Sequence, residues 1–507
     1  MINLIIIFVF NILIRWLVSL NSYSGYNTPP MFGDFEAQRH WMELTYNLPI
    51  KEWYVNSTDN DLLYWGLDYP PLTAYHSYIL GYISNKINPN WTKLYESRGI
   101  TDNDHKIYMR ITVLIADILV YMTSFIYFWY LTAKSKNQWL ILSSLTLLYP
   151  GLIMIDHGHF QYNCVSLGLL ILSLCFASLD RPLLTAAIFS LALNYKQMEL
   201  YHSLPMFAYL LGSCLFKSGN SVSGSKPTRT GLALFFQLVF VTCATFLVCW
   251  APFLYEKDSF LSVLTRLFPF ERGIYEDKVA NLWCALSVFI KFKAIFDRKT
   301  LICLSTILTL CGCLPSFLKC LTCPNQKSLT LALVCSSLSF YLFSFQVHEK
   351  SILLVAIPVM LLFQEYSYSC VNFLMISCLS MYALFVKDGL MLPYYSLFVM
   401  YFLLLCQELL LNTSGSHYIK FSYKIFLYRL STILSLILSL SFHWIKLPDG
   451  KWPDLMTLLI SQFCFLHFFY YLIYFNYRII VFDNSSSSAN SKEFANQALP
   501  TTGKKGI

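Results

Sequence analysis

The stretch Gly33-Asp34-Phe35-Glu36-Ala37-Gln38-Arg39-His40-Trp41 sets two carboxylates, a guanidinium and an imidazole between Asp34 and His40. In a chain with only 13% charged residues, that density marks the candidate active site. A carboxylate such as Asp34 acts as a general base when it is held against a substrate hydroxyl, with its pKa set by burial and neighbours. The alternative role is a helix cap, since Asp34 precedes an amphipathic Phe35–Leu48 stretch and Asp is a favoured N-cap. Capping leaves Glu36, Arg39 and His40 unexplained, although Glu36 and Arg39, three apart on such a helix, can pair with each other.

Other ionisable groups lie at the ends of apolar runs. Asp156, His157 and His159 in Asp156-His157-Gly158-His159-Phe160-Gln161-Tyr162-Asn163 could be metal ligands, but no fourth ligand stands at a helical spacing, which favours a polar turn. Lys196 and Glu199 are spaced as an ion pair between two short spans, and an ionisable group there carries a functional expectation by default. Arg110 and Asp117, seven apart, share a helix face and could neutralise each other. In Trp65-Gly66-Leu67-Asp68-Tyr69-Pro70-Pro71, the double Pro forbids a helix and sets Asp68 on a rigid extended segment. His348, Glu349 and Lys350 form either a solvated turn or, through His348 and Lys350, a cationic pair able to stabilise a phosphate leaving group. Cys311, Cys313, Cys320 and Cys323 straddle the end of an apolar run without a polar scaffold, and read as packed thiols rather than a zinc site.

The elements that must position these groups are membrane helices. Across 507 residues, 56% are hydrophobic and mean hydropathy is +0.52, too apolar for a soluble globular class. Strand alternation is absent, which excludes a β-barrel, so the backbone must satisfy itself in helices. Net charge is +8, but no basic cluster coincides with a nucleic-acid-binding motif. Apolar runs fall at 3–20, 107–131, 138–155, 163–179, 183–196, 201–216, 231–254, 281–296, 300–319, 329–346, 351–364, 370–386, 391–411, 426–446 and 455–478. With one of them re-entrant, this predicts an all-α polytopic protein of about fourteen spans. Residues 1–480 form a single membrane domain with large loops at 21–106 and 255–279, and 481–507 is expected to be a disordered tail.

Sidedness follows from two signals. Asn56 and Asn90 begin acceptor sequons in the first loop, as suits the secretory lumen. Lys134, Lys136, Lys217, Lys226 and Arg229 lie in loops that are then cytoplasmic, in accord with the positive-inside rule. By the same alternation, the Asp156–Asn163 and Asn194–Glu199 clusters join the first loop on the lumenal face, whereas counting spans onward puts His348 on the other. Lys504 and Lys505 stand third and fourth from the end, as in dilysine retrieval signals of endoplasmic reticulum membrane proteins, which are receptor-read addresses. Both termini are therefore expected in the cytosol.

Five motifs now carry a resemblance: GDFEAQRHW from Gly33, YWGLDYPPL from Tyr64, DHGHFQYN from Asp156, RGIYEDKVANLW from Arg272 and FQVHEKSIL from Phe345. Together they resemble the endoplasmic reticulum dolichyl-phosphate-glucose-dependent α-1,3-glucosyltransferases, over roughly residues 25–480. Gln38 to Trp41 favour the branch that adds the first glucose to the nine-mannose lipid-linked oligosaccharide over the sister that adds the second. The resemblance implies a GT-C fold with lumenal loops forming the site, dolichyl phosphate glucose as co-substrate, a dolichyl-diphosphate-linked oligosaccharide as acceptor, and inversion at the sugar carbon. It implies no metal or other cofactor. Asp34 would be the catalytic base and His348 the family's site histidine on the lumenal face, against the span count. Glu36, Arg39, His40, Asp68, Lys196 and Lys350 would position substrates. A secondary transporter, the rival from another class, should show an internal repeat or matched broken spans, and no repeat is found.

Overall fold

The structure, a computed structural model, describes residues 2–216, 229–268, 279–413, 423–444 and 454–497. The Glu271–Lys278 end of the second loop, Lys217, Lys226 and the two terminal lysines lie outside them. The described residues are helical, with no β-strand among them.

The first helix, α1 (Ile2–Ser19), turns the soluble-protein pattern inside out. Ile2, Ile5, Ile6, Val9, Phe10, Leu13 and Leu17 face outward, while Asn11 and Arg15 are fully buried. That arrangement is stable in a lipid solvent, where apolar side chains meet hydrocarbon and polar ones must find partners inside. Arg15 finds Asp117, Nε to Oδ2 at 2.6 Å, and Asp117 Oδ2 also meets His157 Nε2 at 2.7 Å. Arg110 does not neutralise Asp117 as its spacing suggested. It donates instead to the carbonyls of Gly158, at 2.8 Å, and Ser22, at 3.1 Å.

Among the described residues five helices are long and apolar enough to cross a membrane: Ile2–Ser19, Asn103–Thr132, Thr230–Phe253, Arg298–Thr322 and Leu455–Val481. A sixth is the pair Lys136–Leu147 and Pro150–Phe160, bent by 41°. Most other expected spans are shorter or broken helices, such as Asn163–Ser178 and Pro182–Tyr195, or less apolar ones, such as Gln326–Phe343. The exception is 281–296, which splits into Leu282–Ser287 and Phe292–Ile295 around exposed Val288, Phe289 and Ile290. Residues 481–497, expected in a disordered tail, continue the helix Leu455–Gln497, because no Gly or Pro interrupts the chain between Asp454 and Leu499.

Two further helices organise the first loop, α2 (Gly33–Asn47) and α3 (Pro71–Ile87). They pack backbone to backbone at Gly81, where an added Cβ would stand 2.4 Å from the Met42 carbonyl oxygen. Proline at the first position of α3 starts it cleanly, since no amide hydrogen is needed there. The entry to α2 is unusual: Phe32 and Gly33 both have positive φ, 56° and 71°, and a Cβ on Gly33 would come within 2.7 Å of Ser24. Asp34 is thus not the N-cap. Its own amide donates to Ser24 Oγ at 3.1 Å, which leaves its carboxylate uncommitted to capping.

Two interrupted helices carry much of the buried polarity. α4 (Asn103–Ala116) continues through a π-helical turn, Asp117–Met122, and a second π stretch spans Met154–Phe160. Inserted residues of this kind recur at functional sites, where they change which side chains face inward. Phe160, which ends the second stretch, has φ 93°, a strained value worth about 1–3 kcal/mol in a non-glycine residue.

Removing one member of a buried ion pair costs about 3–5 kcal/mol, more than replacing both by apolar groups. Melting of the purified protein in detergent is therefore expected to show Arg15→Met/Asp117→Leu unfolding at a higher temperature than Asp117→Leu alone.

Candidate functional site

Asp34 sits in the first turn of α2, and three side chains from distant segments converge on its Oδ2. His159 Nε2 lies at 3.0 Å and Gln161 Nε2 at 2.5 Å, and Lys350 Nζ makes a close ion pair. The side chains of Asp34 and Lys350 each keep 22% of their surface exposed, so a substrate can reach them from outside. Burial pushes the Asp34 carboxyl upward, but Lys350 and His159 outweigh it and hold the group well below the usual carboxylate range. Lys350 is held above its ordinary value, because the pull of Asp34 exceeds the cost of burial.

A second layer fixes these donors. His159 Nδ1 lies 2.5 Å from Asp388 Oδ2, both side chains being almost fully buried. Lys196 Nζ donates to Asn163 Oδ1 at 2.5 Å and to Gln161 Oε1 at 3.4 Å, and stands 4.9 Å from the ring centre of Tyr69. Gln161 therefore joins Lys196 to Asp34 through its two ends. Lys196 does not pair with Glu199 as the spacing suggested; Glu199 accepts from His202 Nδ1 at 2.7 Å. Asp68 is half-buried, and its carbonyl accepts from Gln197 Nε2 at 2.8 Å, which ties the Trp65–Pro71 segment to the turn after Lys196. Arg266 closes the other side of that segment, donating to the carbonyls of Gly66 and Leu67.

Glu36, Arg39 and His40 do not line this opening. They are 1–2% exposed and form a network with Glu43. Arg39 is bidentate to Glu36, at 2.6 and 2.8 Å, and reaches Glu43 Oε2 at 2.6 Å and Ser97 Oγ at 2.6 Å. Tyr64 donates to Glu36 at 2.8 Å, and His40 Nδ1 meets Glu43 at 3.3 Å. Burial raises the Glu43 carboxyl, but His40 and Arg39 outweigh it and bring it to about 2. The network clamps α2 to the rest of the first loop through Ser97 and Tyr64.

His348 is exposed and precedes the 3-10 turn Glu349–Ile352, whereas Lys350, two residues on, reaches Asp34. That contact places 346–350 beside the first loop, against the span count and in accord with the resemblance. The 281–296 run is not one continuous helix, and without it the count agrees with that contact. Asp156, His157 and His159 take separate partners rather than a common centre: Asp156 accepts from Asn163 and the Cys164 amide, His157 meets Asp117, and His159 meets Asp34 and Asp388. Among the described residues no group of three or more His, Cys, Asp or Glu is arranged to hold a metal ion. Cys313 and Cys320 are buried, while Cys311 is exposed and Cys323 is intermediate. Asn56 and Asn90 are exposed, although Trp91 and Thr92 of the second sequon are buried.

Sequence reasoning missed Asp388 and passed over Gln161. Asp388 is a lone carboxylate in a short break between apolar runs, and that isolation was the available signal.

Comparison with known proteins gives one family match and several full-length relatives. The ALG6, ALG8 glycosyltransferase family matches residues 11–475. The chain is 46% identical over 502 residues to dolichyl pyrophosphate Man9GlcNAc2 alpha-1,3-glucosyltransferase of Gallus gallus, covering 95% of this chain and 96% of the relative. It is equally similar to the Rattus norvegicus protein of the same name, over 500 residues with the same coverage. It is 42% identical over 494 residues to a probable enzyme of that name from Dictyostelium discoideum, covering 93% and 94%.

The ion pair has a pH signature. Asp34 titrates lower in the folded chain than in the unfolded one, so its contribution to stability is present above the ordinary value of 3.8 and lost as pH falls. Lys350 titrates higher, so its contribution is present below 10.5 and lost as pH rises. Lys350→Met is expected to cost the most stability near pH 7, with the cost falling away only as pH drops well below 3.8, where Asp34 of the folded wild type protonates. Thermal melting of both proteins across that range checks it.

Proposed function

The chain belongs to the ALG6, ALG8 glycosyltransferase family, and from that premise we propose that it transfers glucose to the dolichyl-diphosphate-linked Man9GlcNAc2 oligosaccharide, the precursor for N-glycosylation. The donor is dolichyl phosphate glucose and the new bond an α-1,3 linkage to a terminal mannose, the first of the glucoses added. The observation that carries the reading is the Asp34 carboxylate, ionised, partly open and met by three donors from two distant segments.

In this mechanism Asp34 accepts the proton of the mannose 3-hydroxyl as that oxygen attacks the glucose anomeric carbon. The bond from that carbon to the phosphate breaks on the opposite face, so the β-linked donor gives an α-linked product. Dolichyl phosphate leaves with the electron pair and, already an anion-stabilising group, needs no protonating acid, unlike the alkoxide in glycoside hydrolysis. Lys350 supplies positive charge, and His348 a hydrogen-bond donor, for the departing phosphate. Lys196 and Asp68 position the acceptor. No metal is required for these steps.

The architecture proposed is a GT-C fold of fourteen spans in the endoplasmic reticulum membrane, with the site lumenal and both termini cytosolic. The non-spanning character of 281–296 supports it. With that segment removed from the count, the first loop and the segments bearing His159, Lys196, Lys350 and Asp388 all fall on one face.

Transfer from dolichyl phosphate glucose to the nine-mannose acceptor, with a chelator present, tests the function. Wild type is expected to transfer and Asp34→Asn to lose about 10²–10⁴ of the rate while still folding. Equal rates would remove Asp34 from the chemistry. Extension of a monoglucosylated acceptor alone would make this the second-glucose enzyme.

A further inference from the structure

His159 is held between two carboxylates, and the hydrogen-bonding chemistry of the two ring nitrogens differs. Asp388 Oδ2, 2.5 Å from Nδ1, belongs to a carboxylate that accepts hydrogen bonds, so Nδ1 carries the proton facing it. That leaves Nε2 as the nitrogen that changes state. Two partners suit its two states: Lys350 Nζ at 3.3 Å can donate to a bare Nε2, and Asp34 Oδ2 at 3.0 Å can accept from a protonated one. The charged groups facing the ring are Asp34, Lys350 and Asp388. Arg110 binds the neighbouring Gly158 carbonyl, and Lys196 connects only through Gln161.

The backbone around the ring is pinned from several sides. The Ser24 amide donates to the His159 carbonyl at 3.1 Å, Arg110 holds the Gly158 carbonyl, and Asp117 holds His157. The imidazole is thereby fixed in the orientation in which one nitrogen meets the base and the other meets Asp388. A triad of carboxylate, imidazole and proton acceptor is a general device for setting tautomer and stabilising the imidazolium.

We propose that His159 and Asp388 form a proton relay behind Asp34, with the acceptor-hydroxyl proton passing through Asp34 Oδ2 to His159 Nε2 while Asp388 stabilises the imidazolium that results. The inference rests on the glucosyl-transfer reading above. The mannose O–H bond breaks, the bond from that oxygen to the glucose anomeric carbon forms, the electron pair of the broken carbon–phosphate bond leaves with dolichyl phosphate, and the proton ends on Nε2. The relay answers a difficulty of the site: a carboxylate beside Lys350 is a poor final resting place for a proton, whereas the adjacent imidazole can hold it until solvent takes it. His159 and Asp388 are accordingly positioning residues that act through Asp34.

The test combines a spectroscopic readout without substrate with kinetics of the full-length protein in lipid nanodiscs. In histidine-labelled wild type, a strongly low-field imidazole N–H proton is expected, lost in His159→Gln and in Asp388→Asn. In transfer assays, Asp388→Asn is expected to lower kcat about 10- to 100-fold, the lower end of acid–base contributions. KM for donor and acceptor should change little, and the acid limb of the pH–rate profile should move. Asp388→Glu should restore most of the rate. An unchanged pH profile in Asp388→Asn, or a low-field proton that survives that substitution, would overturn the relay. So would equal losses in the Asn and Glu variants with lowered melting temperatures, which would make Asp388 purely structural. Failure of wild type to transfer glucose would instead overturn the functional reading, and the imidazole signal would still decide the geometry.

Discussion

The Asp34 carboxylate is the junction on which the arrangement of this protein depends. Its donors lie 125, 127 and 316 residues away along the chain. Closing loops of such different lengths costs only slowly increasing entropy, so distance in sequence is a minor obstacle. The stronger constraint is electrostatic. A carboxylate placed mostly out of water is costly unless it is fully compensated, and here compensation requires the π stretch carrying His159, the Gln161 that follows it and the turn carrying Lys350 to meet at one point. The same compensation leaves an open side. A group that is paired yet still partly exposed can exchange a protein donor for a substrate hydroxyl without first being dehydrated.

Around that junction the chain follows the logic of a lipid solvent. Arg15, Asp117 and His157 are fully buried and meet at Asp117 Oδ2, joining α1, the π turn that continues α4 and the second π stretch. None of them touches Asp34. Their effect is to fix the Met154–Phe160 stretch, whose last ionisable residue, His159, does. Buried ion pairs contribute little net stability over apolar packing but strongly disfavour arrangements in which one partner is lost. In this fold that selectivity acts on the register of a π-helical turn, where a shift of one residue would turn both His157 and His159 away from their partners.

Much of this was legible in the sequence because membrane helices announce themselves by composition. Apart from 281–296 and the region around 351–386, each expected apolar run falls on a helix or a closely bent pair, and Asp34 was singled out by its company in a charge-poor chain. That company pairs locally: Glu36, Arg39 and His40 meet each other and Glu43 in an i, i+3 and i, i+4 pattern. The real partners of Asp34 are scattered singly, and nothing in a linear reading pairs residue 34 with 350. Asp388 was missed for the same reason, being a single carboxylate in a short break. Arg110 and Asp117 were paired by spacing alone, which is sound for a regular helix. The π turn that begins at Asp117 breaks that regularity, and Arg110 turns to backbone carbonyls instead.

The segment 281–296 shows how a single local misreading propagates through a membrane protein. Its composition is apolar enough to span, yet it folds as two short helices, and the first is anchored inward: Asn281 caps it through the Cys284 amide, and Trp283 is buried and donates to the Phe343 carbonyl at 2.8 Å. Lys291 and Lys293 then interrupt the apolar run where a span would need hydrocarbon contact. Each span reverses the side of everything downstream, so counting 281–296 as a span sets His348 and Lys350 opposite the first loop, although Lys350 touches Asp34 there. Hydropathy is additive along the chain and forgives small errors, whereas sidedness alternates and does not. A single long-range contact, Lys350 to Asp34, constrains the path of the chain more than the composition of all the intervening segments does.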